Sequence, residues 1–524
     1  MSTVIFLIIL AVFAAAYFIY GNFLSRFLGI DPKRKTPAYT HYDGVDYIPA
    51  KNWLILFGHH FASIAGAGPI VGPVFAYMYW GWFGALLWII FGSIFIGAVH
   101  DFTALFVSVR EGGVSIGDIA KKYISKRASV VFLIFLWLAL ILVNAVFAAL
   151  CAKSFIDEPK IVIPSLGLIP FAMLIGLLLY NLKSNTILTT ILGLCGLAYL
   201  VVLGNQIPFG LTANAYFIWV IVLFVYCFFA SVLPVNILLQ PRDYLSSFLL
   251  FFGVIVAFFG IIIKPLPISH AQAFRFSSGE GTLFPLMFIT VACGAISGFH
   301  SLVSSGTTSK QLASEKDMQK IGYGAMIVEA VVAVLALLCV AFGLKSIPQG
   351  KTPVEIFALG FSNVVFFLGD YAKPFAFLLL NTFILTTLDT ATRITRYLTQ
   401  ELFRINNKYL ATLIVVSASG YLCLTGTWQA IWPVFGASNQ LVAALALLVV
   451  SSYLIHKKKS CKITFIPALA MFFVTGYALS LQVLEFFRKK NYFLSGVSFV
   501  LIVLGIFVFV EFFQMKQSRR YAGT

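Results

Sequence analysis

Charge is what this sequence has least of. Its 524 residues include 19 Asp and Glu and 36 Lys and Arg, so only 10% of the chain is charged. A soluble protein would carry roughly 25%. With 60% hydrophobic residues and a mean hydropathy of +0.96, an ordinary water-facing surface is excluded, and the chain reads as a polytopic membrane protein. Cysteine is also sparse. The seven, at 151, 195, 227, 293, 339, 423 and 461, are scattered and mostly apolar in context. They have neither metal nor disulfide spacing, so they read as packing residues. No basic stretch precedes the apolar run 4–20, which is expected to be a retained helix rather than a cleaved signal. Cytoplasmic loops long enough for an output domain are missing, which disfavours a nutrient sensor. The net charge of +17 need not mean nucleic acid, because basic residues collect in cytoplasmic loops.

What is present is a series of apolar runs of about 20 residues, the length of a membrane span. There are about fifteen: 3–27, 53–79, 81–110, 130–153, 161–181, 186–204, 213–239, 244–264, 283–309, 321–345, 371–397, 409–424, 430–455, 463–484 and 493–513. A shorter stretch, 354–369, is expected to be re-entrant or interfacial. If the N-terminus is outside and the spans alternate, 26 of the 36 Lys and Arg fall on the cytoplasmic side, as the positive-inside rule requires. The cluster Arg488, Lys489 and Lys490 falls on the other side.

Two spans are interrupted. The second reads FGHHFASIAGAGPIVGP over 57–73, and Gly66, Ala67, Gly68 and Pro69 weaken its helical ladder in mid-span. Backbone freed at that depth must be buried in protein or line a watery cavity. The ninth contains CGAISGFHSLVSSGTT, whose break is placed at 297–308. Ser297, His300, Ser304, Ser305, Thr307 and Thr308 suit a carboxylate there, helped by half-helix N-termini. The alternative is close helix packing by small residues. Spans two and nine are seven apart, so they cross in opposite directions, the pattern of inverted-repeat transporters with a central binding site. A five-helix repeat leaves two extra helices between the halves.

Intramembrane ionisable groups are functional candidates by default. Asp101 is expected to pair with His100 or a histidine of the broken helix. Glu329 stands in an apolar run without a basic residue at helical spacing. These two, with His59 or His60, are the proton-coupling candidates. His59 and His60 point about 100° apart, so they serve different partners. Asp389 and Arg393 are four apart and can pair along one helix. Arg242 and Asp243 lie in QPRDY, read as a tight cytoplasmic turn with a structural or gating role. Trp432, Pro433, Gly436, Asn439 and Gln440 put a kink and two amides into the thirteenth span, with Asn439 a substrate contact. His59, His60, His100, His300 and Asp101 include metal-ligand types, but no spacing demands a metal. No metal is expected, and an intramembrane metalloprotein is a remote reading. The expected organisation is 1–50 (first helix and loop), 51–455 (transporter core) and 456–524 (peripheral helices and basic tail).

The stretches FGHHFASIAGAGPIVGPV, GAVHDFTALFVSVREGG, LLQPRDYLSSF, FITVACGAISGFHSLVSSGTT, IGYGAMIVEA, LDTATRITRYLTQEL and IWPVFGASNQLVAALALL run from about residue 50 to 450. They resemble the carbon starvation protein A (CstA) family. The resemblance implies an all-α, LeuT-like inverted-repeat fold of the amino acid–polyamine–organocation type, with two broken helices and extra helices. It also implies a secondary transporter of a bacterial or archaeal cytoplasmic membrane, N-terminus outside and C-terminus inside. The expected cargo is short peptides or pyruvate, taken up with protons during carbon starvation; sodium coupling is the alternative. No enzymatic activity, cofactor or nucleic-acid partner is implied. Many relatives have Gln where this chain has His100.

Overall fold

A computed structural model describes residues 2–182, 184–263, 272–425 and 428–522. Lys183, counted above among the cytoplasmic charges, and Lys264, the expected end of the eighth span, lie outside the described residues.

Among the described residues, fourteen helices are long and apolar enough to cross a membrane. In chain order they are α1 (Ser2–Leu28), α2 (Trp53–Trp80), α3 (Trp82–Arg110), α4 (Lys126–Asp157), α5 (Pro159–Asn181), α6 (Thr186–Gln206), α7 (Ala215–Val232), α8 (Leu239–Ile263), α10 (Glu315–Gly343), α11 (Phe366–Phe403), α12 (Lys408–Thr425), α13 (Ile431–His456), α14 (Lys462–Arg488) and α15 (Tyr492–Gln517). Between α8 and α10, residues 283–311 form α9, a succession of short helical pieces. With α9 the expected fifteen segments are all found. The stretch after α10 forms a helix of 12 residues, Pro353–Val364, started by a Thr352–Glu355 capping box and too short to span.

Helix α2 starts where the Asn52 side chain accepts the Ile55 N–H. Its first half, Trp53–Ala65, ends at Gly66, whose φ of 49° and ψ of −159° suit only glycine. The second half, Gly68–Trp80, restarts with Pro69 in the first turn, where a missing N–H costs nothing. In α9 the extended residues are Ile296 and Ser297. The expected break at 297–308 is therefore corrected. Helix resumes at Gly298, with a π-helical turn at Ser304–Thr308. It can resume because the Asn439 side chain on α13 accepts the Phe299 N–H at 2.8 Å. A second correction concerns 240–244, expected as a tight cytoplasmic turn. These residues are the buried first turns of α8. Gln240, Arg242 and Asp243 all have buried partners on neighbouring helices, and Pro241 sits early enough in the helix to be harmless.

Packing defines the repeats. Helix α4 packs on α11 and α7 on α12; α4 also touches α12 and α13, as α11 touches α7 and α8. The first half of α2 lies on α8, as the 298–303 piece of α9 lies on α13. Exchanging α2, α3, α4, α7, α8 for α9, α10, α11, α12, α13 maps this set of contacts onto itself. The two helices left over between the breaks are α5 and α6, which pack on α8. Helices α2, α11 and α13 are almost wholly buried, whereas α1, α6, α12, α14 and α15 expose most of their apolar surface. Such exposure is stable only against lipid.

Close helix approach is a checkable requirement. A Cβ at Gly298 would collide with the Asn439 carbonyl and Val442, whereas one at Gly476 on α14 meets nothing within 4 Å. Gly298→Ala is expected to cost about 1–3 kcal/mol, seen as a lower thermal midpoint in detergent. Gly476→Ala should leave that midpoint unchanged or slightly raised.

Candidate functional site

The two breaks face each other across a small cavity of about 10 Å³, room for about one water molecule. Ile64, Ala65, Gly66 and Gly68 come from α2, and Cys293, Ser297 and Phe299 from α9. Val143 and Phe147 of α4, Thr387 of α11, and Phe435 and Asn439 of α13 complete the wall. Every lining residue is buried. No lining residue is charged. The Asn439 amide nitrogen donates to Ser297 Oγ at 3.0 Å and lies 3.2 Å from Cys293 Sγ. The α9 break is thus already capped by protein, while no side chain caps the second half of α2.

Beside the cavity runs a chain of buried ionisable groups. His60 Nδ1 lies 2.8 Å from Thr308 Oγ1, and its Nε2 lies 3.1 Å from Asp101 Oδ2. Ser304 donates to the other oxygen of Asp101. His300 then bridges two acids, with Nδ1 3.8 Å from Asp101 and Nε2 3.1 Å from Glu329. The His300–Glu329 approach is close but off-axis, and neither group forms a well-aligned hydrogen bond. Each repeat thus contributes one His–acid pair from its broken helix and the helix after it: His60–Asp101 and His300–Glu329. The four groups run in a line rather than converging on a point. Among the described residues no group of His, Cys, Asp and Glu could hold a metal ion. His100 is fully buried, and neither of its ring nitrogens is hydrogen-bonded.

A second polar cluster lies on another face of α2. Arg242 places one guanidinium nitrogen 2.5 Å from Asp389 and another 3.0 Å from Asp243. Tyr226 on α7 donates to Asp389 at 2.6 Å. His59 Nδ1 meets Asp243 at 2.7 Å. The expected Asp389–Arg393 pair does not form, although both lie on α11. Each finds a shorter path across to another element: Asp389 to Arg242, and Arg393 to Asp46 at 2.8 Å.

The candidates therefore separate. Gly66, Gly68, Ser297 and Asn439 line the cavity. Ala67 caps the second half-helix, and Pro69 packs against Gly294. His300, Ser304 and Thr308, expected at the substrate, belong instead to the ionisable chain. Ser305 and Thr307 return their hydroxyls to the Ser301 and Val303 carbonyls of their own helix. Sequence reasoning missed Phe147, Phe435, Cys293 and Thr387, which look like ordinary packing residues. It also passed over Thr386, Thr387 and Thr390 in LTTLDTAT, although three threonines beside an intramembrane Asp are a visible signal. Thr386 and Thr387 donate to the Ala62 and Ser63 carbonyls at 2.7 and 2.9 Å, and Thr390 meets Ser63 Oγ at 3.1 Å.

Two broken helices in inverted repeats that meet at a small buried cavity are the architecture of a membrane transporter. The chain belongs to the carbon starvation protein CstA family, whose model matches residues 1–347 and 341–478. It is 33% identical to the "Peptide transporter CstA" of Helicobacter pylori (strain J99), over 93% of this chain and 83% of that one. It is 31% identical to the "Pyruvate/proton symporter BtsT" of Escherichia coli (strain K12), over 90% and 80% of the two chains. Among solved structures, the manganese transporter of Eremococcus coleocola covers 90% of this chain and 99% of its own, at TM-score 0.56 and 13% identity. MhsT in complex with L-phenylalanine covers 88% and 99%, at TM-score 0.52 and 12% identity. At these identities the two structures speak for the fold alone.

One carboxylate shapes the loop before α2 for its contact with the core. Asp43 Oδ1 accepts the N–H groups of Val45, Asp46 and Tyr47, which turns Asp46 towards Arg393 and Arg396. Burial pushes the Asp46 carboxyl up, but Arg393, Arg396 and Lys310 outweigh it and hold it at about 2. The folded value lies below the ordinary one near 4, so this stabilisation is complete above about pH 4 and fades as pH falls towards 2. Asp46→Asn leaves the buried Arg393 without its carboxylate, at a cost of about 3 kcal/mol. Thermal unfolding of wild type and variant should differ clearly at neutral pH, and the gap should narrow in acid.

Proposed function

We propose that the chain imports a small monocarboxylate of the pyruvate type together with a proton across a bacterial cytoplasmic membrane, with its N-terminus outside. The observation that carries this reading is an uncharged cavity lying beside a chain of proton-accepting groups. A monocarboxylate needs one anion site. The start of the Gly68–Trp80 half-helix, which has no side-chain cap, supplies the Gly68 N–H and positive potential for it. A dipeptide brings an ammonium as well, and no lining residue is an acid that would meet it. In this state the space between the breaks holds about one water molecule, at about 10 Å³, so any solute enters only when the breaks part. The printed names of the relatives divide between peptide and pyruvate, and the uncharged lining favours the solute with a single charge.

In this mechanism the anion binds between the breaks while His60, Asp101, His300 and Glu329 hold the proton. The chain joins both repeats, so rocking one against the other changes its geometry, and proton occupancy is tied to which side is open. Sodium coupling has one observation behind it, the oxygens of Ala62, Ser63, Thr386, Thr387 and Thr390. Those hydroxyls donate directly into the carbonyls, so the oxygens satisfy one another, which favours the proton.

The test is uptake of labelled pyruvate into proteoliposomes, with and without an inward proton gradient, repeated with excess dipeptide. Gradient-dependent uptake that ignores dipeptide is expected. Dipeptide-sensitive or sodium-driven uptake would replace this reading. In the same vesicles Glu329→Gln should abolish gradient-driven accumulation while pyruvate exchange partly survives. Unchanged pH dependence in that variant would remove Glu329 from the mechanism.

A further inference from the structure

The mechanism above leaves His59 unused, yet His59 sits at the end of an ordered run of hydrogen bonds. Tyr180 on α5 donates to Gln240 Oε1. Gln240 Nε2 donates to Gln311 Oε1 at 2.6 Å. Gln311 Nε2 approaches His59 Nε2 at 3.2 Å, and His59 Nδ1 meets Asp243 Oδ2 at 2.7 Å. Gln240, Gln311, His59 and Asp243 are completely buried, whereas Tyr180 is half-buried beside the exposed Lys51. Donors point one way throughout. The amide of Gln311 presents N–H to His59 Nε2, so that nitrogen accepts and the ring proton is on Nδ1, facing Asp243.

The run is reversible. Turning both amides over makes His59 Nε2 a donor to Gln311 Oε1, Gln311 a donor to Gln240 Oε1, and Gln240 a donor to Tyr180. Every contact is kept and the imidazole is doubly protonated. Amides, unlike carboxylates, accept either arrangement without changing charge.

Charge counting gives the reason for a second state. The buried cluster holds Arg242 against Asp243 and Asp389, one cation and two carboxylates. A proton on His59 brings it to neutrality, which matters where an uncompensated buried charge is costly. The titratable and charged groups around His59 are Arg242 and Asp243 on α8, Asp389 on α11, Tyr226 on α7 and Tyr180 on α5. Helix α9 offers Gln311; its Lys310 is engaged over the Tyr397 ring at 3.9 Å. On α2 itself, His60 is committed to Asp101.

We infer that His59 is a second proton-binding site, separate from the His60–Asp101–His300–Glu329 chain, and that Gln311, Gln240 and Tyr180 are positioning residues that accommodate both of its charge states. The proton resides there while α2 is closed on α8, and it leaves when the first half of α2 parts from Asp243. The inference deepens the proton-coupled reading and rests on it only for its role in transport. The binding site itself is tested without transport.

The measurement is solid-state ¹⁵N NMR of histidine-labelled full-length protein in lipid, titrated over roughly pH 5 to 8, where an imidazole changes charge. The signals lost in His59→Gln identify the residue. Wild type should pass from a ring with one protonated nitrogen to one with two as pH falls. Gln311→Glu, which adds a carboxylate at Nε2, should hold the doubly protonated ring to higher pH. Gln311→Leu, which removes its acceptor, should require lower pH, and Tyr180→Phe should move the transition in the same sense by less. A His59 ring in one charge state throughout, or a transition that neither Gln311 variant moves, overturns the inference. Pyruvate uptake that ignores the proton gradient, with the NMR transitions as expected, overturns only the coupling.

Discussion

A backbone amide or a carboxylate held at membrane depth has only protein to bond to, and leaving it unpaired costs several kcal/mol. Both breaks in this chain raise that problem, and they are solved differently. At Ile296–Ser297 the Asn439 side chain reaches from α13 and takes the Phe299 N–H, so α9 restarts at once. At Gly66 the threonines of α11 take the carbonyls of Ala62 and Ser63, and the following half-helix is left without a side-chain cap. The unequal treatment leaves one helix start without a side-chain cap beside the cavity between the breaks.

The same constraint organises the charges. None of the intramembrane acids stands alone: Asp101 is held by His60 and Ser304, Glu329 faces His300, and Asp243 and Asp389 share Arg242. The two sets fall on different faces of α2 because His59 and His60 are adjacent and diverge by about 100°. One helix therefore touches two buried ionisable clusters at once. A movement of its first half would loosen both.

The inverted repeats make this economical. Helices α4 and α11 form the central pair, and the contacts around them are exchanged by the repeat relation. Each repeat brings its own histidine and its own acid, from a broken helix and the helix that follows it. His300 then joins the two pairs through its two ring nitrogens. A group that belongs to both halves responds to their relative position, which is the requirement for coupling a proton to alternating access. The inserted α5 and α6 stay outside this exchange, on the face of α8; α5 carries Tyr180, the half-buried end of the amide run.

By itself the sequence determined the class of protein, the number of spanning segments, the place of the first break and the intramembrane acids Asp101, Glu329 and Asp389. These follow from local properties: apolar run length, the backbone demands of Gly66 and Pro69, and the cost of a charge in lipid, which makes each one conspicuous. Tertiary structure alone decided who meets whom. Spacing put Asp389 and Arg393 on one helix face, but partners on α8 and in the 41–52 loop were nearer, because a carboxylate pairs with the cation that packing delivers and not with the one along its own helix. It also decided where α9 breaks, since that depends on an asparagine about 140 residues away in sequence. The repeats were decided in the same way: α5 and α6 are as apolar as their neighbours, and only their packing excludes them.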